Sequence, residues 1–283
     1  MTVQTTTIFA IATILAAAAV GSFVCVVIER LPVELDAPDE FGDSFGSRPW
    51  SEVVGGSSRC SSCGSPIAWH HKVPVVSWVL LRGRCKECGS RIPGFHPIVE
   101  LAVPLLVAVL LFGLGWTWRI GPVLWLVPVG IAVAAIDLRT LIVPTKLVWP
   151  AFVVSVAIAV AVAALESSPR WLFGGLIGVV TIAGPLAVVW FILPGGMGFG
   201  DVRLATLLGW TVGFATIDGS WVTALFTGVA TLALAAVIGV MTGVVGIVAC
   251  GRGRKVPFGP ALVVASFAVI LLGSVLIEGF AIA

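Results

Sequence analysis

The chain has 283 residues, 59% of them hydrophobic and 11% charged, with a mean hydropathy of +1.13. Soluble domains carry about a quarter charged residues, so a soluble globular protein is excluded and a polytopic membrane protein in contact with a lipid bilayer is expected. A formal net charge of +2 with no clustered basic patch gives no ground for a nucleic-acid partner.

Taken in chain order, the runs 1–28, 120–136, 147–165, 171–200, 204–217, 219–251 and 256–277 carry no charge, and 98–118 carries only Glu100. These are eight candidate spans, most of them near the ~20 residues a crossing helix needs. The expected fold is an all-α polytopic membrane protein of about eight transmembrane helices, with a small cytoplasmic zinc-binding domain between helices 1 and 2. Its parts are a first helix over 1–28, a cytoplasmic domain over 29–97 and a seven-helix membrane domain over 98–283. The short run 204–217 reads as a helix that begins at Asp201, partway into the membrane. No Lys or Arg precedes the first apolar run and Arg30 follows it, which favours a retained helix over a cleaved signal peptide. The 11 Trp suit interfacial anchoring.

With the N-terminus outside, segments 29–97, 137–146, 194–203 and 251–257 are cytoplasmic. They contain every one of the 16 basic residues except Arg119 and Arg170, as the positive-inside rule requires. The same orientation puts Asp137 and Asp201 on one side, although it was reached without reference to them.

Within 29–97, the stretch ERLPVELDAPDEFGDSFGSRPWSE is acidic, rich in turn-formers and without helical or strand period. It reads as a solvated loop, or as an electrostatic lure for a basic peptide. Tandem repeats are not evident. Two CxxC pairs follow, Cys60–Cys63 and Cys85–Cys88, each with Gly next (Gly64, Gly89). Four thiolates at this spacing suit a closed, structural tetrahedral Zn2+ site, and metal binding supplies folding free energy that so small and polar a segment lacks. A reducing cytosol argues against disulfides. Cys25 and Cys250 lie in apolar runs and read as core residues. His70, His71 and His96 read as loop or interface residues.

Asp137 closes the third span, beside Arg139. Asp201 follows Pro194-Gly195-Gly196-Met197-Gly198-Phe199-Gly200, beside Arg203. A carboxylate at bilayer depth costs roughly 2.5–3.5 kcal/mol on insertion scales and is functional by default. Irregular backbone at that depth survives where it is buried or lines a wet cavity, so the glycine loop marks a water-accessible pocket. Its backbone, at Gly198 and Gly200, is suited to pairing with an extended peptide. The bland alternative is that the two aspartates only pair with Arg139 and Arg203. The sharper reading is a catalytic dyad of Asp137 and Asp201 that shares one proton and activates water without a covalent intermediate.

Gly198-Phe199-Gly200-Asp201 matches the GxGD signature of intramembrane aspartyl proteases. GMGFGDVRLATLLGW, VGSFVCVVIERLP, HHKVPVVSWVLLRGRCKECGSRIPGFHPIVEL and KVPFGPAL resemble the type IV prepilin peptidases over nearly the whole chain. The resemblance implies a bacterial inner-membrane aspartic endopeptidase that removes the basic leader of type IV prepilins or pseudopilins, cutting after a Gly on the cytoplasmic side. It carries the catalytic pair onto Asp137 and Asp201 and the zinc ligands onto Cys60, Cys63, Cys85 and Cys88. For many members it also implies methylation of the new N-terminal amine with S-adenosylmethionine, although 29–97 contains no glycine-rich methyl-donor loop. Cys25 and Glu29 stand where the family usually has Asn and often has Tyr, and Thr145 where it has a further acidic residue. Two other classes compete. A zinc- or ion-handling transporter needs carboxylates near the midplane, and a membrane thiol oxidoreductase needs its CxxC on the outer face.

Overall fold

The computed structural model describes residues 3–34, 45–193, 197–216, 220–250 and 256–281. Most of the acidic stretch and the side chain of Cys250 lie outside the described residues. Ten α-helices are described: α1 (Val3–Arg30), α2 (Trp50–Val54), α3 (Val76–Leu80), α4 (Phe95–Leu114), α5 (Gly121–Thr140), α6 (Thr145–Leu165), α7 (Arg170–Ile192), α8 (Phe199–Phe214), α9 (Trp221–Cys250) and α10 (Gly259–Ala281). The eight long ones occupy the eight apolar runs. Six (α1, α4, α5, α6, α7 and α9) are long and apolar enough to cross a bilayer. α8 has 16 residues and the apolar helix Gly259–Gly273 within α10 is also short, so length does not establish eight crossings among the described residues. Phe112 and Phe191 on the outer surface are more than four-fifths exposed, as side chains facing lipid would be.

The segment after α1 is more regular than its composition suggests. Strands β1 (Pro32–Glu34) and β2 (Phe45–Ser47) pair antiparallel, with Pro32 opposite Ser47. The Arg30 guanidinium reaches past them to donate to the carbonyls of Val53 (3.2 Å) and Gly55 (2.9 Å). That long-range anchor is what a search for local periodicity misses.

α8 begins two residues before Asp201, and from Val202 to Phe214 all but Arg203 and Thr206 are buried. A helix apolar on every side belongs in the middle of a bundle, and α8 packs against α5, α6, α7, α9 and α10. Its closest partner is α7. A side chain on Gly174 would meet the Gly213 carbonyl at 2.6 Å, one on Gly178 would fall on the Gly209 carbonyl, and one on Gly175 would meet the Trp210 ring at 2.8 Å. Gly174/Gly178 and Gly209/Gly213 thus form two small-xxx-small faces, which let backbones touch where lipid provides no hydrophobic drive for helix association.

Gly178→Leu is expected to cost at least the ~1–3 kcal/mol of an overpacked core and to lower the thermal unfolding midpoint of the detergent-solubilised protein. Leu176→Val, on the exposed face of the same helix, should leave the midpoint nearly unchanged.

Candidate active site

Asp137 lies in the last turn of α5, which ends where Leu141 adopts a left-handed conformation (φ 59°) and donates its N–H to the Asp137 carbonyl. The Asp137 side chain is 4% exposed, and its Oδ2 accepts the backbone N–H of Gly259 at 2.9 Å. A β-carbon on Gly259 would stand 2.7 Å from that oxygen and 3.4 Å from Leu204 Cδ2. The Asp137 carboxylate, the start of α10 and Leu204 of α8 therefore meet at one point.

Asp201 is in that first turn. Gly198 is the N-cap of α8 in an extended conformation, and its carbonyl accepts the Asp201 N–H at 3.1 Å. Gly200 leans on Val143 in the α5–α6 connection, where a β-carbon would come within 2.9 Å of Val143 Cβ. Gly259, which touches the Asp137 carboxylate, also touches Leu204 three residues beyond Asp201, and Gly200 beside Asp201 touches Val143 just after α5, so the two aspartates lie in one region of the fold. The neighbouring arginines face aromatic rings: Arg139 lies 4.6 Å over Phe95, and Arg203 lies 5.1 Å over Phe199 and donates to its carbonyl.

The four-cysteine cluster forms from two similar turns. Cys60 N–H donates to Ser65 O and Gly64 N–H to Cys60 O; Cys85 N–H donates to Ser90 O and Gly89 N–H to Cys85 O. Gly64 (φ 71°) and Gly89 (φ 70°) take the left-handed conformation that favours glycine. Arg59-Cys60-Ser-Ser-Cys63-Gly64-Ser65-Pro66-Ile67 and Arg84-Cys85-Lys-Glu-Cys88-Gly89-Ser90-Arg91-Ile92 are one short motif in two separated copies, not a tandem array. The self-match was legible in the sequence but too short to register as an array. All four sulfurs lie within 4.8 Å of one another, with Cys60 and Cys88 at 3.9 Å. Zn–S bonds of about 2.3 Å in a tetrahedron require S···S near 3.8 Å, so the thiols fit the metal. Backbone N–H groups of Cys63 and Ser62 pull the Cys60 pKa down to about 6, favouring the thiolate that a metal binds.

Glu100, the lone charge of the second apolar run, joins the cysteine module to the membrane helices. Its Oε1 accepts Ser22 Oγ from α1 (3.0 Å) and its Oε2 accepts the N–H of Val75 (2.7 Å), a β-branched residue at φ 60°. His96 Nε2 and Glu29 Oε1 pair at 2.9 Å, which makes His96 an interface residue as expected. Cys25 is buried against the His96 carbonyl. Between the module and these helix ends is a cavity of about 360 Å³, bordered by Cys25, Glu29, Trp78, His96 and Glu100; neither Asp137 nor Asp201 lines it. Sequence reasoning missed the roles of Glu100 and Gly259. A carboxylate inside an apolar run was a signal for the first, whereas only folding reveals the second.

A buried carboxylate, Asp137, and a half-buried one, Asp201, at one end of a helical membrane domain are groups of the kind that acid–base hydrolysis uses, which points to a class of membrane hydrolases. Comparison with known proteins narrows it. The bacterial peptidase A24 N-terminal domain matches residues 15–114, and the type IV leader peptidase family matches residues 123–277. The chain belongs to the type IV leader peptidase family. It is 31% identical to a prepilin leader peptidase/N-methyltransferase of Pseudomonas aeruginosa, over 94% of this chain and 91% of the relative. Proteins of the same name from Stutzerimonas stutzeri (29%, 90% and 87%) and Xanthomonas campestris (29%, 92% and 90%) are also similar. No solved structure matches.

Gly200→Ala should push the head of α8 away from Val143. A displacement of about 1 Å can cost about a hundredfold in rate, so peptidase activity is expected to fall at least tenfold, with part of it restored by Val143→Gly in the same chain. Equal activity of Gly200→Ala and the parent would show that this contact does not set the site.

Proposed function

We propose that this chain is an aspartic endopeptidase of the bacterial inner membrane that removes the basic leader from type IV prepilins or pseudopilins at the cytoplasmic face, with Asp137 and Asp201 as its catalytic pair. The observation that carries the reading is the convergence of the two aspartates and the Gly198–Gly200 segment where α5, α8 and α10 meet. The parts suit such a substrate. Its apolar helix would remain in lipid, and its leader would lie along the glycine segment, with backbone groups at Gly198 and Gly200 pairing to the extended peptide. The N-terminus is outside, and the basic residues gather with the aspartates on the cytoplasmic side. The chain divides into the first helix 1–28, the cytoplasmic domain 29–97 and the membrane domain 98–283.

In the reaction, the ionised carboxylate takes a proton from water as its oxygen attacks the scissile carbonyl after the leader's last Gly. The protonated carboxyl gives its proton to the carbonyl oxygen. The tetrahedral intermediate collapses as the new amine takes up a proton, and the pair returns to one shared proton.

Cys60, Cys63, Cys85 and Cys88 hold a structural Zn2+ in this reading, which fixes the module that Glu100 and Arg30 attach to the helices. The relatives' printed name favours a second activity, N-methylation of the new amine with S-adenosylmethionine. The cavity beside the module has room for such a donor at about 360 Å³. Glu29 and Glu100 at its wall, although already hydrogen-bonded, put negative charge where a cationic centre would sit, and Lys72 suits the donor's carboxylate. The donor would supply the methyl group.

Incubation of the purified protein with a prepilin, followed by mass measurement, should show loss of the leader. Asp137→Asn and Asp201→Asn should each lower the rate by at least about a thousandfold while still inserting in the membrane, and retained cleavage in either would sink the dyad. Metal analysis should find one zinc per chain, lost in Cys60→Ser/Cys88→Ser together with the thermal stability of the module. A metal-free parent protein that is fully folded would contradict the zinc assignment.

A further inference from the structure

The two aspartates are held differently. Asp137 Oδ2 receives a buried hydrogen bond from Gly259 N–H, in the first turn of α10, whereas among the described residues no hydrogen bond to the Asp201 carboxyl is recorded. The N–H has no carbonyl partner within its own helix, because it stands in the first turn. Bonds from N–H groups to a carboxylate are roughly twice as strong as those to a neutral acceptor; the favourable field of a helix start acts on both aspartates, since Asp201 is in the first turn of α8, so it is the hydrogen bond that separates them. The residue type agrees: Gly259 has no β-carbon in the space that Oδ2 occupies, so the amide approaches the carboxylate directly.

Other charges around Asp137 do not supply this asymmetry. On its own helix Arg139 lies over Phe95 of α4. On α1 and α4, Glu29 is paired with His96 and Glu100 is taken by Ser22 and Val75. On α6, Lys146 Nζ donates to Ser47 O. On α8, Arg203 lies over Phe199, which leaves Asp201 as the acidic group facing Asp137. The described part of α10 offers its backbone at this point.

We propose that Gly259 is a positioning residue whose backbone N–H fixes Asp137 as the ionised member of the pair, the base that activates water, and leaves Asp201 as the member that carries the proton to the scissile carbonyl. The proposal rests on the dyad reading above and goes further, by distinguishing two aspartates that the sequence makes equivalent.

Two reagents with opposite requirements test it on the unmodified full-length protein. An epoxide is opened by a carboxylate oxygen, which forms a hydroxy ester once the alkoxide takes a proton from water. A diazoacetyl compound needs a carboxylic acid, whose proton moves to the diazo carbon before the carboxylate displaces nitrogen and forms an ester. Peptide mass mapping should find the epoxide adduct on Asp137 and the diazoacetyl adduct on Asp201, each lost in the matching Asp→Asn variant. Reversed positions, or both reagents on one aspartate, would overturn the assignment. Full labelling with undiminished cleavage would instead overturn the dyad itself.

Gly259→Ala and Gly259→Pro separate the N–H from crowding, since both add a β-carbon at the same place and proline, tolerated in a first helical turn, lacks the donor. The proline variant is expected to show kcat and epoxide labelling of Asp137 about tenfold below the alanine variant, with unchanged KM for the prepilin. Equal kcat and equal labelling in the two folded variants would remove the amide from the mechanism. Should the proline variant fail to fold, the reagent mapping on the parent protein decides alone.

Discussion

Backbone-to-backbone contact between α7 and α8 is the constraint on which the site rests. A bilayer does not squeeze apolar helices together as water does, so a close pair must gain its stability from contact area and from weak polar interactions along the seam. Gly174, Gly178, Gly209 and Gly213 remove the side chains that would hold the two backbones apart. α8 can then be both short and central, and its burial on nearly every side leaves it little freedom to tilt or turn. Asp201, at the head of the same helix, inherits that rigidity.

The two aspartates and the cysteine module lie at one end of the bundle, and Arg119, Glu166 and Arg170 lie at the other ends of α5, α6 and α7. The C-terminal ends of α1 and α5 and the N-terminal ends of α4, α6, α8 and α10 contribute Glu29, Asp137, His96, Lys146, Asp201 and the Gly259 amide. The cysteine module packs onto this end through directional bonds: Arg30 to the Val53 and Gly55 carbonyls, Trp50 Nε1 to the Lys146 carbonyl at 3.2 Å, and Val75 N–H to Glu100. Arg139 over Phe95 connects the turn that carries Asp137 to the start of α4.

Much of this was readable from residues alone, for identifiable reasons. Uncharged runs and the distribution of basic residues report directly on solvent, because the bilayer penalises charge wherever it falls. Cys60, Cys63, Cys85 and Cys88 were legible as a cluster because their ligand geometry is built into local turns that glycine permits, and the folded sulfurs do gather. Asp137 and Asp201 stood out as isolated carboxylates at the ends of apolar runs. The pairing of β1 with β2, by contrast, was invisible because three residues in each strand are too few to show a period, and the Arg48 N–H bond to the Leu31 carbonyl that extends it joins residues remote in sequence. Glu100 was noticed only as a charge, since its partners Ser22 and Val75 come from different segments of the chain.

The sequence by itself determined the membrane class, the approximate helix runs and the four-thiol cluster, and it singled out Asp137 and Asp201 as isolated carboxylates, because each follows from short-range chemistry or from the cost of burying charge. Only the tertiary structure decided that Gly259 donates to Asp137 and that Gly200 seats α8 against Val143. It likewise decided that glycine faces on α7 and α8 meet. These depend on which backbones come within contact distance after helices pack, and a linear pattern carries no term for the separation between remote segments.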